Sequence, residues 1–296
     1  MPNTRKHTFL PLALLVVLAV YNRATACSVT VNIVGCSVAK GATDDAVAMD
    51  ITVSGTDEGV VELTKDYTGT GRVAIWNADR TATISQVNVT DCPIRLWVQG
   101  TTESSAVADV TITATLKVDG QTTGTDSDTV TVVKVDKIQY QSGENWIDVS
   151  ETLYVSIGTT VTFKAIPDPA AASWPGGKPV WGGTSGASGT GETKDVTFNA
   201  VGNKTVTAEC GNTVTANVIV VEVASLLPDQ GTEVDDGDAD PDTKWYVVPF
   251  VEGGGDVTVT ATPNPAVSEA DLPADWTLTG AHVEGKLVSF VYKDSP

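Results

Sequence analysis

Val161–Ala170 reads VTFKAIPDPA, and Val257–Ala266, ninety-six residues further on, reads VTVTATPNPA. In each copy apolar and polar residues alternate, the period of a half-buried strand, until a Pro-x-Pro corner ends the pattern. A strand-and-corner pair used twice at a fixed interval predicts a tandem array of β domains.

Working outward from these copies, the same alternation fills most of the 296 residues. Val110, Ile112, Ala114, Leu116 and Val118 alternate with Thr111, Thr113, Thr115 and Lys117. Asp119-Gly120, a pair favoured in tight hairpins, follows at once. Val206, Ala208 and Cys210, then Gly211-Asn212, then Val214, Ala216, Val218 and Val220 repeat this order. Two units therefore end in one kind of closing hairpin, whose last strands are VTVVKVD (130–136) and VIVVEVA (218–224). A polar opening segment follows each of them. The units expected are residues 27–136, 137–223 and 224–296, after a leader at 1–26.

About seven short strands separated by turn residues predict a β-sandwich for each unit. The third unit repeats the order of the second as far as Trp276, Leu278 and the run Val288–Val291, and nothing after it matches the closing hairpin. An unfinished sandwich would expose an unpaired edge. The reading expects a chain that continues in a longer protein, in preference to a last unit completed by a second chain.

The stretch VTFKAIPDPA…VWGGTSG…KDVTFNAVGNKTVTAECGNTVTANVIVVEV resembles bacterial Ig-like and PKD-type domains. Phe198 and Gly202 match their F-x-x-x-G corner, and Thr205-Val206-Thr207 the strand after it. Trp181-Gly182-Gly183-Thr184 departs from the W-D-F-G-D-G loop of PKD domains. The resemblance implies an all-β fold of tandem Ig-like sandwiches, the last one incomplete. It also implies a spacer, adhesive or accessory role in an exported protein, and it carries over no catalytic residue.

The N-terminus points to export. Arg5, Lys6 and His7 precede a twelve-residue apolar run, Phe9–Val20, and Ala24-Thr25-Ala26 supplies the small residues that signal peptidase accepts. That run is too short for a bilayer span of about 20 residues, and no other stretch is long and apolar enough. Cleavage after Ala26 would place the mature chain in the extracellular space or on the cell surface. Cys27 would then be the first residue and a candidate for lipidation, although Ala24 and Arg23 fit a lipobox poorly, so a plain secreted N-terminus is preferred.

Removing residues 1–26 removes three cations and no anions, leaving 15 Lys+Arg against 37 Asp+Glu, a net charge of −22. No basic run remains to release counterions, which excludes nucleic acid as a partner. The partners that fit are a surface protein or a polysaccharide.

Among the four cysteines, Cys36 and Cys92 share a unit and form the expected disulfide, with Cys27 as an alternative partner for either. Cys210 has core parity and is read as packing. Asp235, Asp236, Asp238, Asp240 and Asp242 are the one dense set of hard oxygen ligands and the candidate calcium site. They fail the EF-hand pattern, since Pro241 stands at its glycine position and Val247 at its bidentate Glu. A solvated acidic loop is the preferred reading, and no cofactor other than this Ca²⁺ is expected.

Catalysis finds no support. Ser185 and Ser188 lack a G-x-S-x-G setting, and His282 is the one histidine of the mature chain. No Cys-x-x-Cys or His-x-x-x-His spacing is present. Carboxylate pairs are too abundant to carry a signal. Asn88-Val-Thr90 and Asn203-Lys-Thr205 match glycosylation acceptors, a short motif to which no function is attached.

Seven tryptophans are the richest binding chemistry left. Trp181 and Trp276 recur at matching places and read as core. Trp146 and Trp174 lie beside turn residues and are the candidates for stacking on a ligand such as a sugar. The sequence thus predicts a non-catalytic extracellular or cell-surface module acting as spacer and interaction surface. The alternatives are a carbohydrate-binding or calcium-stabilised adhesion module, or an accessory piece of a larger secreted enzyme.

Overall fold

The computed structural model describes residues 27–35, 37–41, 43–90, 92–228, 232–234, 245–247, 259–268 and 271–273. Apart from one 3-10 turn at Thr43–Asp45, its named elements are strands. The leader at 1–26, Cys36, the acidic residues at 235–242, Trp276, His282 and the 288–291 run lie outside the described residues.

In the first unit the strands are β1 (Ser28–Ile33), β2 (Ser37–Ala39), β3 (Val47–Ser54), β4 (Val60–Tyr67), β5 (Arg72–Trp76), β6 (Gln86–Asn88), β7 (Ile94–Thr102), β8 (Val110–Val118) and β9 (Gln121–Ser142). One sheet has the order β1-β3-β7-β5, and facing it β9, β8, β4 and β6 follow one another. Strand β2 pairs parallel with β9 through Ser37↔Thr131, Val38↔Val132 and Ala39↔Val133. The alternation read from the sequence decides the packing. Val29, Val31, Met49, Ile51, Ile75, Leu96, Ile112 and Leu116 all turn inward into one buried cluster. Their polar neighbours face out. At the β8–β9 turn Asp119 and Gly120 both take positive φ, 51° and 76°, the type I′ geometry that this pair favours.

The second unit repeats the plan. Its strands are β10 (Asn145–Asp148), β11 (Leu153–Ser156), β12 (Thr160–Asp168), β13 (Val180–Gly182), β14 (Gly189–Thr190), β15 (Thr193–Thr197), β16 (Gly202–Glu209) and β17 (Thr213–Pro228). One sheet runs β15-β12-β9 and the other β11-β17-β16-β13-β14. The parallel β11–β17 pair, Leu153↔Val218 to Ser156↔Val221, stands where β2–β9 stands in the first unit. Its core gathers Phe163, Trp181, Phe198, Val206, Ala208, Cys210 and Val218. Phe163 and Phe198 meet edge to face, centroids 6.3 Å apart at 74°. Such a contact adds about 0.5–1.5 kcal/mol beyond area burial.

The expected unit ends at 136 and 223 fall inside strands. β9 is a single strand of 22 residues. It pairs with β8 through residue 130, with β2 over 131–133 and with β12 from 134 to 140. Thus the closing strand of the first unit is the opening strand of the second. β17 behaves alike, pairing with β16 from 213 to 220. Beyond that it pairs, over 222–228, with β20 (Val259–Asn264). Between them β18 (Thr232–Val234) and β19 (Trp245–Val247) form a separate antiparallel ladder.

The repeated motif is the partner of these strand extensions in both places. In β12, Asp168 opposes Lys134 and Pro167 opposes Val135, with a register shift at Ile166/Pro167. In β20, Asn264 opposes Glu222 and Pro263 opposes Val223, with a shift at Val223/Ser225. The described chain is all-β, with two sandwiches in tandem whose ladders are antiparallel apart from the β2–β9 and β11–β17 pairs.

Candidate functional site

Two places concentrate chemistry. The first is the joint where β9 passes from one core to the other. The hairpin loop Cys210-Gly211-Asn212 of the second unit reaches back onto the first. Asn212 Oδ1 accepts the Val135 N–H at 2.8 Å, and Asn212 Nδ2 donates to the Val135 carbonyl at 2.8 Å. The buried Cys210 thiol lies 3.8 Å from the Val133 carbonyl, and burial pushes it up to about 12. At that value it packs and does not react.

Gly211, with φ +71°, lies so close to Lys40 that a Cβ would stand 2.1 Å from the Lys40 carbonyl oxygen. The strap that receives it is fixed by Lys40 N–H to Val133 O at 3.0 Å and Gly41 N–H to Gly100 O at 3.1 Å. The second unit carries the same strap, where Ile157 N–H donates to Val221 O at 3.0 Å and Gly158 N–H to Phe198 O at 2.8 Å.

Around this plug lies a ring of ion pairs. Lys40 Nζ is 2.7 Å from Glu103 Oε2, and Lys134 Nζ is 3.2 Å from Glu103 Oε1 and 3.4 Å from Asp168 Oδ2. Lys178 Nζ of the second unit is 3.0 Å from Asp45 Oδ1 of the first. The Lys40 ammonium, then the backbone and Lys134, hold the Glu103 carboxyl down to about 2. Glu103 in turn raises Lys134. Asp168 is the acid of the VTFKAIPDPA corner, so the motif that marks the repeat also helps to seal the joint.

The second place is the outer face of the β1-β3-β7-β5 sheet. Trp76 of β5 and Trp97 of β7 are register partners there, both half-buried. Trp76 Nε1 donates to Gln99 Oε1 at 2.8 Å, and Trp97 Nε1 donates to the Ala78 carbonyl at 3.0 Å. The Arg80 guanidinium stacks 3.6 Å over the Trp97 ring. Asn77 and Asp79 side chains fold the turn that carries Arg80, accepting from the Thr81 N–H at 2.9 and 3.3 Å. One row along, Arg95 grips Asp50 with two bonds of 2.8 Å.

The stacking candidates are split. Trp146, on β10, lies half-buried under Lys164, whose ammonium is 5.6 Å from the ring centroid. Trp174, between β12 and β13, packs against the second core, and its buried indole N–H has no hydrogen-bond partner. Trp181 is core, 3% exposed, with Nε1 donating to Gly191 O at 2.7 Å.

Cys92 is exposed. Its expected disulfide partner, Cys36, lies outside the described residues. Cys27 packs against the first core, its thiol 3.5 Å from the Gly55 carbonyl. No described helix is long and apolar enough to cross a membrane. Among the described residues, no three His, Cys, Asp or Glu side chains gather as a metal site.

The reading from sequence missed the Trp76–Trp97 pair. Parity was the signal: in RVAIW and IRLWVQG, Val73, Ile75, Leu96 and Val98 turn inward, which leaves both tryptophans outside.

No protein-family model matches the chain, and no curated protein matches it. Among solved structures it is similar to domains 4–9 of the surface layer protein SbsC, at 15% identity and a TM-score of 0.23. That match covers 90% of this chain and 43% of the other, so this chain spans less than half of the protein it matches. Domains 5–6 of SbsC match at 15% identity, a TM-score of 0.20, and 64% and 96% coverage of this chain and that one. The adhesin InvE of Yersinia pseudotuberculosis matches at 12% identity, a TM-score of 0.24, and 90% and 74% coverage.

Proposed function

We propose that the chain is a non-catalytic extracellular or cell-surface structural module, a stiff spacer whose sheet faces and loops make the contacts. The observation that carries this reading is the unbroken passage of β9 from one core into the next. Flexible tandem domains are joined by polar linkers with few contacts crossing them. Here the connection is itself a paired strand of 22 residues, roughly 70 Å long at about 3.3 Å per residue. It is clamped by Asn212, Gly211 and the Glu103 ring.

The export signal at Arg5–Ala26 supports placement outside the cell, with a surface protein or a polysaccharide as the partner. Small-angle scattering on the full chain, together with antibody labelling and protease shaving of intact cells, tests the reading. A single stiff conformer and labelling of unbroken cells are expected. Freely pivoting units, or protein protected until lysis, would overturn it.

A further inference from the structure

Between the two sheets of the first unit, beside β4 and β5, a crevice of about 370 Å³ opens to solvent. That volume lies at the small end of ligand sites. Along β4 the inward positions are Val61, Leu63, Lys65 and Tyr67. Val61 and Leu63 are buried in the core, whereas at Lys65 the sequence sets a cation where the pattern calls for an apolar side chain. Lys65 is exposed and lines the crevice together with Val73, Ile75 and Ile84 and with the hydroxyl residues Thr83 and Ser85. Val73 and Ile75 are buried and form an apolar floor, while Thr83 and Ser85 are exposed at the rim.

The charge at this place is unlike that of the rest of the unit. Lys40, Arg95, Lys117 and Lys134 each face a carboxylate. Among the described residues Lys65 and Arg72 hold backbone carbonyls instead. Lys65 Nζ donates to Val73 O at 3.3 Å, and Arg72 donates through one nitrogen to Gly69 O at 2.9 Å and Gly71 O at 2.7 Å. The Arg72 guanidinium lies 4.3 Å from the centre of the Tyr67 ring, and Tyr67 is two residues from Lys65 on the same side of β4, roughly 7 Å along the strand. The acids nearby are otherwise engaged or turned away. Asp66 follows Lys65 and so points to the opposite face, Glu62 pairs with Lys117, and Asp109 accepts from the Ser104 hydroxyl and from the Gly71 and Ser105 N–H groups.

From this geometry we propose that the crevice binds a carboxylate carried on a small aliphatic body, the last residue of a peptide or a free carboxylic acid. The stem lies on Val73, Ile75 and Ile84, and the head meets Lys65 on the Arg72 side. An anionic head gains there because its hydrogen bonds come from charged donors. Net charge limits the class. The chain carries −19, which works against polyanions, whereas a single carboxylate meets two cations that no acid neutralises within the described residues.

The test is an NMR and calorimetric titration of the full chain with hexanoate, hexanamide, acetate, and a short peptide ending in leucine with a free or an amidated C-terminus. Hexanoate or the free-ended peptide is expected to bind and to shift the methyl signals of Ile75 and Ile84. Tighter binding of the peptide assigns a chain end, and tighter binding of hexanoate assigns a free acid. The amides and acetate, which lack the head or the stem, should each bind at least about tenfold more weakly. Lys65→Met keeps the stem over the floor and should weaken binding about tenfold, Arg72→Gln should weaken it less, and Lys65→Arg should keep most of it. Lys117→Met, on the outer face, leaves it unchanged. No shift at Ile75 and Ile84, amides that bind as well as acids, or binding indifferent to Lys65→Met would overturn the proposal. It stands apart from the spacer reading, because scattering reports stiffness whether or not a carboxylate binds.

Discussion

Asn212 holds both backbone polar groups of Val135, Oδ1 accepting from the N–H and Nδ2 donating to the carbonyl, each at 2.8 Å. One side chain thereby replaces the neighbouring strand that β9 lacks on this side as it crosses from the first core to the second. Asn212→Ala should leave two backbone groups without partners, at about 1–3 kcal/mol for each that stays dry. Urea denaturation checks the loss. Asn212→Asp keeps the acceptor but sets a carboxylate against the Val135 carbonyl, so it should not restore stability.

Gly211 and Gly120 provide a matched pair. Both have positive φ, +71° and +76°, so an alanine at either site costs about 1–2 kcal/mol of backbone strain. Around Gly120 there is open space, whereas a Cβ on Gly211 would collide with the Lys40 backbone. Gly211→Ala should therefore be clearly the more destabilising in thermal melts, and it alone should broaden the distance distribution in solution scattering. Equal effects would mean that the hairpin tip does not bear on Lys40.

The strands themselves were legible, and the continuity of β9 through the joint was not. Alternation around Val110–Val118 and the Asp119-Gly120 turn identify β8, its hairpin and the inward residues. The runs VTVV and VIVV, however, break alternation, and they suggested the end of a unit. In the structure Val130, Thr131, Val132, Val133 and Val135 are all buried, because a strand passing between two sandwiches is covered on both sides. Burial of successive residues from Val130 to Val133 was the mark of continuity. Parity turns Trp76 and Trp97 outward, but their pairing was hidden for another reason: β5 and β7 are separated in sequence by β6 of the other sheet, and no local period announces which strands pair.

The joint should respond to acid. Glu103 falls from an ordinary value of 4.5 to about 2 in the folded chain. Its folded value is the lower one, so its contribution is complete above 4.5 and is lost as pH falls through that window towards 2. Glu103→Gln should flatten the pH dependence of the melting temperature in this range while leaving a lower plateau at neutral pH. High salt should weaken the wild-type advantage, since these pairs are partly exposed. An unchanged pH profile in the variant would show that the ring around Lys40 and Lys134 contributes nothing to the fold.

Asp126 and Asp128 guard an edge. β1 ends the first sheet, and its Val31 and Ile33 N–H groups, which have no ladder partner on that side, donate to Asp126 Oδ2 at 2.8 Å and Asp128 Oδ2 at 2.7 Å on β9, which packs alongside. The carboxylates stand two residues apart on β9, matching the two-residue interval of outward N–H groups on β1. Hydrogen bonds to charged groups contribute about 1.5–3 kcal/mol, so the double change to alanine should lower the melting temperature. It should also bare a strand edge that can pair with another molecule. Light scattering should then report concentration-dependent dimers or larger species. The double change to asparagine keeps the acceptors at reduced strength and should stay monomeric, so dimers in both variants would mean that charge repulsion, not backbone capping, keeps β1 apart.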